Sequence, residues 1–284
     1  MYTKLCGRIP HPGVRRRLWL IPGLLAAVVV ITITFSVTAG CNDLTEGCSD
    51  APTETRDDSF TVGDSPKVVA NTGNGDIEVN AGSDNEVRVQ ATLMVPDEID
   101  YTVSQQGDTI TVEAKVRGGG RWTGCISAAI IVTAPARTDV EADTSNGAIE
   151  LHEIEGSGHL RTSNGKIVLD HVKGDFEGRT SNGRVDAPGV KGEFDLETSN
   201  GRIYFRGELT AGGSNRLVTS NGSVDVELLG APSVSLEATT SNGDITSELQ
   251  MDATLVEDKH IVGTVGDGEA DLRIRTSNGD VYIR

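Results

Sequence analysis

Seven copies of Thr-Ser-Asn-Gly, beginning at Thr144, Thr162, Thr180, Thr198, Thr219, Thr240 and Thr276, constrain this chain more than any other feature. Their spacings are 18, 18, 18, 21, 21 and 36 residues. A fixed period of this kind marks a repeat architecture, in which one unit of supersecondary structure stacks on the next. The 36-residue step is twice 18 and reads as one degenerate copy around "DKHIVGTVGDG", residues 258–268. A relative of the motif, Thr72 to Gly75 within "NTGNGDIEV", lies four such units before Thr144. The 21-residue steps read as units with short insertions, as in "ELTAGGSNR" at 208–216.

The residues beside the motif give its geometry. The second and fourth residues after each Gly are mostly apolar, as in Ile149/Leu151, Ile167/Leu169 and Val224/Val226, and apolar residues precede the Thr two and four positions back, as in Leu196/Phe194 and Ile274/Leu272. This alternation describes short strands with one inward face. By parity Thr points inward and Ser outward. The Asn-Gly pairs, Asn146-Gly147, Asn164-Gly165, Asn182-Gly183, Asn200-Gly201, Asn221-Gly222, Asn242-Gly243 and Asn278-Gly279, read as structural turns with positive backbone angles. An antiparallel meander would need more strands than an ordinary open sheet holds. A right-handed parallel β-solenoid, β-helix-like and with coils of about 18 residues, stacks like over like and explains why the motif is kept. One coil alone buries too little apolar surface to offset the entropy of ordering it, so neighbouring coils must supply the rest.

Charge and hydropathy divide the chain unevenly. Residues 1–40 hold five basic groups and no acid, so the rest carries all 42 acids against 20 bases. A surface this acidic repels phosphate backbones, which argues against nucleic acid as a partner. Arg15-Arg16-Arg17 precedes an uncharged apolar run ending in "TAGC", residues 38–41. Two readings follow: a lipoprotein signal with Cys41 as the lipidated residue, or an uncleaved transmembrane helix. Either one exports the remainder and anchors it outside the cytoplasmic membrane or in the outer envelope. Cys48 and Cys125 are then candidates for a disulfide in an oxidising compartment. No Cys/His pattern supports a zinc site. The expected organisation is a signal or anchor at 1–41, a polar tether at 42–58, a β-strand module at 59–136 and the repeat solenoid at 137–284. "GGGRWTG", 118–124, reads as a loop, with Trp122 a candidate to cover a sheet end.

The early strands, the transition "VTAPARTDVEADTSNGAIEL" and the Ser-Asn-Gly-x-Ile/Val repeats resemble the bacterial β-strand-repeat family named "putative adhesin". The resemblance runs from about Phe60 to Arg284. It implies a solenoid-like fold, a cell-envelope location and a binding or scaffold role, and it brings no catalytic residues.

The chemistry of the repeat is consistent with that expectation. A catalytic motif is unique, whereas this one has seven copies, and no His follows the period to serve as base to Ser145 or Ser163. A calcium ladder fails as well. The position after Asn-Gly is Asp at Asp76, Asp244 and Asp280 but Lys or Arg at Lys166, Arg184 and Arg202. No metal or other cofactor is expected. An ice-binding array would expose the Thr residues that parity turns inward. Arg161, Lys166, Arg179, Arg184 and Arg202 flank three consecutive motifs and form a candidate anion-binding row, for instance for an acidic glycan. The competing reading, which the abundance of surface charge favours, pairs them with acids such as Asp143 and Glu197. The expected function is a non-enzymatic adhesin or envelope scaffold, membrane-attached and facing a glycan or protein ligand. A carbohydrate-active solenoid enzyme and an envelope-stress sensor are the alternatives. "DLRIRTSNGDVYIR", 271–284, shows no obvious cap, so self-association through that end is a further expectation.

Overall fold

A computed structural model describes residues 48–82, 85–117 and 124–284. The lipid-site candidate Cys41, the apolar anchor and Trp122 lie outside the described residues. Among the described residues, no helix is long and apolar enough to cross a membrane.

Each coil is two strands joined at the Asn-Gly corner and closed by a return turn. In one such coil, Glu155–Asn164 leads into Ile167–Asp170, and both stack in parallel on their counterparts one repeat away. Inward positions alternate with outward ones along every strand, so Leu160, Ile167, Leu169 and Val172 are fully buried. The core is continuous from Val68 to Ile283. Large and small residues trade places along it: Phe176 lies in register with Gly158, and its ring stacks on Phe194, which meets Phe205 edge-on.

The order of coils in space departs from their order in sequence at both ends. The last coil, Ala270–Arg275 and Val281–Ile283, is inserted between the Asn221 coil and the Asn242 coil. Residues 258–268 are therefore not a degenerate coil. Asp252–Glu257 and His260–Val265 form an antiparallel hairpin, and its second strand covers the outer edge of Val234–Thr239. The C-terminal strand has a partner on each side, so the expectation of an uncapped terminal coil does not hold. The extra residues form a cap, and the chain then returns to fill the slot beneath it.

The other end repeats this device. The Asn74 coil, Lys67–Asn74 and Ile77–Ala81, sits directly on the Asn146 coil rather than four units away. The intervening residues cover its outer edge with Thr109–Val116 on one sheet and Ser127–Ala134 on the other. Antiparallel strands Ile99–Gln106, Glu86–Met94 and Thr53–Thr61 complete the cap. Part of the expected tether at 42–58 is thus structured: Cys48–Asp50 form a 3-10 turn and Thr53–Thr61 an edge strand. A disulfide joins Cys48 to Cys125 across 77 residues of sequence. No break separates 59–136 from 137–284, because Asn74 and its neighbours stack in the same register as the repeats.

Candidate functional site

The corner built by Thr-Ser-Asn-Gly is a set of ladders. Thr162 Oγ1 donates to the Gly147 carbonyl at 2.9 Å, Thr180 to Gly165 at 2.9 Å and Thr198 to Gly183 at 2.8 Å. The bond repeats to Gly279 from Thr240, the last coil in the stack. These Thr side chains are buried and the Ser residues after them mostly exposed, as parity requires.

Asparagine forms a second ladder. Asn164 Nδ2 donates to Asn146 Oδ1 at 2.8 Å, Asn182 to Asn164 at 2.9 Å and Asn200 to Asn182 at 3.0 Å. The column continues through Asn221 and Asn278 to Asn242, following the spatial order. At its start, Asn146 reaches Asn74 at 2.6 Å. All seven Asn-Gly pairs, with the Asn74-Gly75 relative, therefore stand in one column.

The turn works as expected in only part of the column. Gly75 (φ 138°), Gly222 (φ 159°), Gly243 (φ 157°) and Gly279 (φ 157°) have the positive angle, whereas the asparagines and Gly147, Gly165, Gly183 and Gly201 do not stand in the left-handed region. Glycine is required there by close approach: a methyl group on Gly165 would overlap the Gly147 carbonyl oxygen below it. The left-handed conformation falls at the opposite corner, at Glu153 (φ 58°), His171 (φ 54°) and Gly189 (φ 70°), at equivalent places in successive repeats. No common residue type marks that corner in the sequence, so composition gave no signal for it.

The five residues of the candidate anion-binding row separate onto two faces. Arg161 and Arg179 lie on the sheet before the corner. Arg179 pairs with Glu177, with Asp195 at 3.1 Å and with Glu197 at 3.8 Å, while Arg161 reaches Glu177 at 3.5 Å. Arg216 closes this network on Asp195 and Glu197. Burial disfavours the Arg216 charge, but hydrogen bonds to Glu197 and Asp195 outweigh it and raise its pKa. Beside these arginines runs a shallow open depression of about 350 Å³, lined in part by Ser145, Ser163, Ser181 and Ser199.

Lys166, Arg184 and Arg202 lie just past the corner on the second sheet. Lys166 pairs with Glu150 at 2.9 Å and Arg184 with Asp186. Arg202 stands 3.6 Å from Asp186 Oδ1, a buried oxygen with no hydrogen-bond partner among the described residues. Each of the five cations thus has an acidic neighbour, the arrangement that the competing reading describes. Asp76 and Asp280 serve the backbone instead, accepting the Ala148 and Asp244 amides of the next coil.

At the return corner, His152 Nδ1 and His171 Nδ1 contact Asp170 at 3.2 and 2.6 Å. Burial would raise the Asp170 pKa, but the two histidine hydrogen bonds outweigh it and hold the carboxyl below its ordinary range. Among the described residues, no group of three or more His, Cys, Asp or Glu is arranged to hold a metal ion.

Residues 159–284 match the family model described as Toastrack DUF4097. This stretch is similar to the Toastrack domain. The match spans the ladders from the Asn164 coil to the end of the stack and agrees with the β-strand-repeat resemblance seen in the motifs. Solved structures similar to most of the chain include a "putative adhesin" from Bacteroides fragilis, 12% identical, with a TM-score of 0.39 over 82% of this chain and 97% of that one. Another "putative adhesin", from Parabacteroides distasonis, is 11% identical with a TM-score of 0.37 over 83% and 98%. A "putative cell adhesion protein" from Clostridium sporogenes is 11% identical with a TM-score of 0.34 over 81% and 99%. No curated protein matches the chain. The matched coils begin inside the same continuous stack that the N-terminal strands cap.

Proposed function

We propose that this protein is a non-enzymatic adhesin or scaffold of the bacterial cell envelope, exported and held at a membrane by its N-terminal segment. The observation that carries the reading is the regular spacing of the outward rows. Successive coils set one outward side chain above another at a spacing of about 4.8 Å, so a polymer running along the stack meets side chains at a fixed interval many times. Repeated weak contacts on one rigid body add through effective concentration, which suits an extended glycan or a filamentous protein. The ladders commit the repeated corner to holding the coils together, which leaves the variable outward rows to do the recognising.

The experiment is binding of the full chain to an array of envelope glycans and to whole cells. Retention that grows with polymer length is expected. Equal retention of monomers and polymers, or none of either, would remove the reading. Anchoring is tested apart: metabolic labelling with a fatty acid marks a lipoprotein and is lost in Cys41→Ser, whereas a helix-anchored protein takes up no label at that position.

A further inference from the structure

One outward row on the second sheet has a composition the repeat does not require. In strict register it runs Val168, Asp186, Tyr204, Asp225, Tyr282, with a carboxylate between each apolar or aromatic side chain and the next. The order follows space rather than sequence, since the Tyr282 coil is the inserted one. Tyr282 is among the most exposed large hydrophobic side chains, at 44%, and its hydroxyl donates to Asp280 Oδ2 at 3.2 Å. Tyr204 is half-buried on the same face.

We propose that this row is a binding strip for an extended, neutral β-1,4-linked polysaccharide. The proposal rests on the adhesin reading and names its ligand class and its residues. Tyr204 and Tyr282 are two strands apart, which places their rings about 10 Å from each other along the stack. In an extended β-1,4-linked hexose chain alternate rings present the same face, and the disaccharide repeat is close to that separation. Two tyrosines can therefore pack against every second sugar ring, their amphipathic rings suiting a surface of C–H groups and hydroxyls. Asp225, between them, faces the intervening ring. Its carboxylate is held by Arg284 Nη1 at 3.0 Å, so the pair offers an acceptor and donors at fixed positions.

Charge selects the neutral polymer. The chain carries a net −17, yet the cations on this strip are matched locally. Arg184 and Arg202 lie on Asp186, Arg206 on Glu227 at 3.1 Å, and Arg284 on Asp225 and Glu227. An anionic polymer would have to displace these carboxylates, whereas hydroxyls can share both partners without breaking the pairs.

The test is titration of the full chain with cellohexaose and N-acetylchitohexaose, and with maltohexaose as the α-linked control. Binding of either β-1,4 hexasaccharide and not of maltohexaose is expected. Tyr204→Ala and Tyr282→Ala should each weaken binding about tenfold, and the double variant should abolish it with its melting temperature near that of the parent. Equal binding of the α-linked chain, failure of both β-1,4 chains, or an unaffected double variant would overturn the proposal. Whole cells retained by the double variant as by the parent would overturn the strip and leave the adhesin reading standing.

Discussion

An interior ladder asparagine such as Asn182 donates to Asn164 and accepts from Asn200, whereas Asn242 at the end of the column only donates along it, to Asn278. Replacing Asn182 with Ala should therefore cost about 1–2 kcal/mol, and replacing Asn242 roughly half as much, in urea denaturation at constant m value. Equal losses would mean that the asparagines act through the local turn and not through the ladder. Glu153 is held at φ 58° with its side chain exposed. Glu153→Gly should raise stability by about 1 kcal/mol, because glycine adopts that conformation without the Cβ clash. A loss in the same measurement would show that the unfolded-state entropy of glycine outweighs the relief of strain.

At the scale of the element, the ends of the stack are where strands are exposed to unwanted pairing. Among the described residues, Thr53–Thr61 pairs on one side only, with Glu86–Met94. Its Asp58 is buried, and Arg56 reaches across to lie 5.3 Å over the Tyr101 ring. Inward-pointing charges on an edge strand discourage a further strand from adding, at some loss of stability. Burial raises the Asp58 pKa, with Asp57 acting in the same direction and Arg56 opposing. Since the folded pKa lies above the unfolded value of about 3.9, the ionised carboxylate destabilises the fold once pH rises through that window. Asp58→Asn should then stabilise the protein at pH 7, with the gain fading as pH falls through the raised folded pKa and lost below about 4. A gain independent of pH would point to packing rather than ionisation. The variant should also aggregate sooner if the charge guards the edge.

Across the whole molecule, the insertion of the last coil is the feature that a linear reading of the repeats misses. Sequential stacking would set Glu237 beside Arg216, since the two hold equivalent positions before Thr240 and Thr219. The observed neighbour of Glu237 is Arg273, at 3.0 Å between side chains, with the inserted strand separating it from Arg216. A Glu237→Cys, Arg273→Cys variant should oxidise to an intramolecular disulfide and melt at a higher temperature. The Glu237→Cys, Arg216→Cys variant should stay reduced, because its sulfurs would start about 10 Å apart. The opposite pattern would restore the sequential order.

Much of the corner was legible in the letters. The parity of buried Thr and outward Ser, the inward apolar pairs and the parallel stacking of like residues all follow from a two-residue strand period set inside an 18-residue repeat. The mechanism at Gly165 was not, because the constraint on it is the carbonyl of Gly147 in another coil, and local turn chemistry gives no sign of that. The fate of the arginines was open for the same reason. Arg179 and Arg184 look alike beside their motifs, but the corner sends one to each sheet, where Asp195 and Asp186 meet them.

Periodicity along the chain is enough to specify a stack of β coils and the side chains that fill its core. The order of the coils, the caps at both ends and the row that brings Tyr204 within two strands of Tyr282 arise from contacts between coils distant in the chain. The physical reason lies in the repeat itself. Near-identical coils can dock on one another in more than one order with the same Thr, Asn and Gly contacts, so the ladder does not encode its own sequence. What selects the order is the need to cover the open edges, which the hairpin at 252–265 meets for the Asn242 coil before the chain turns back.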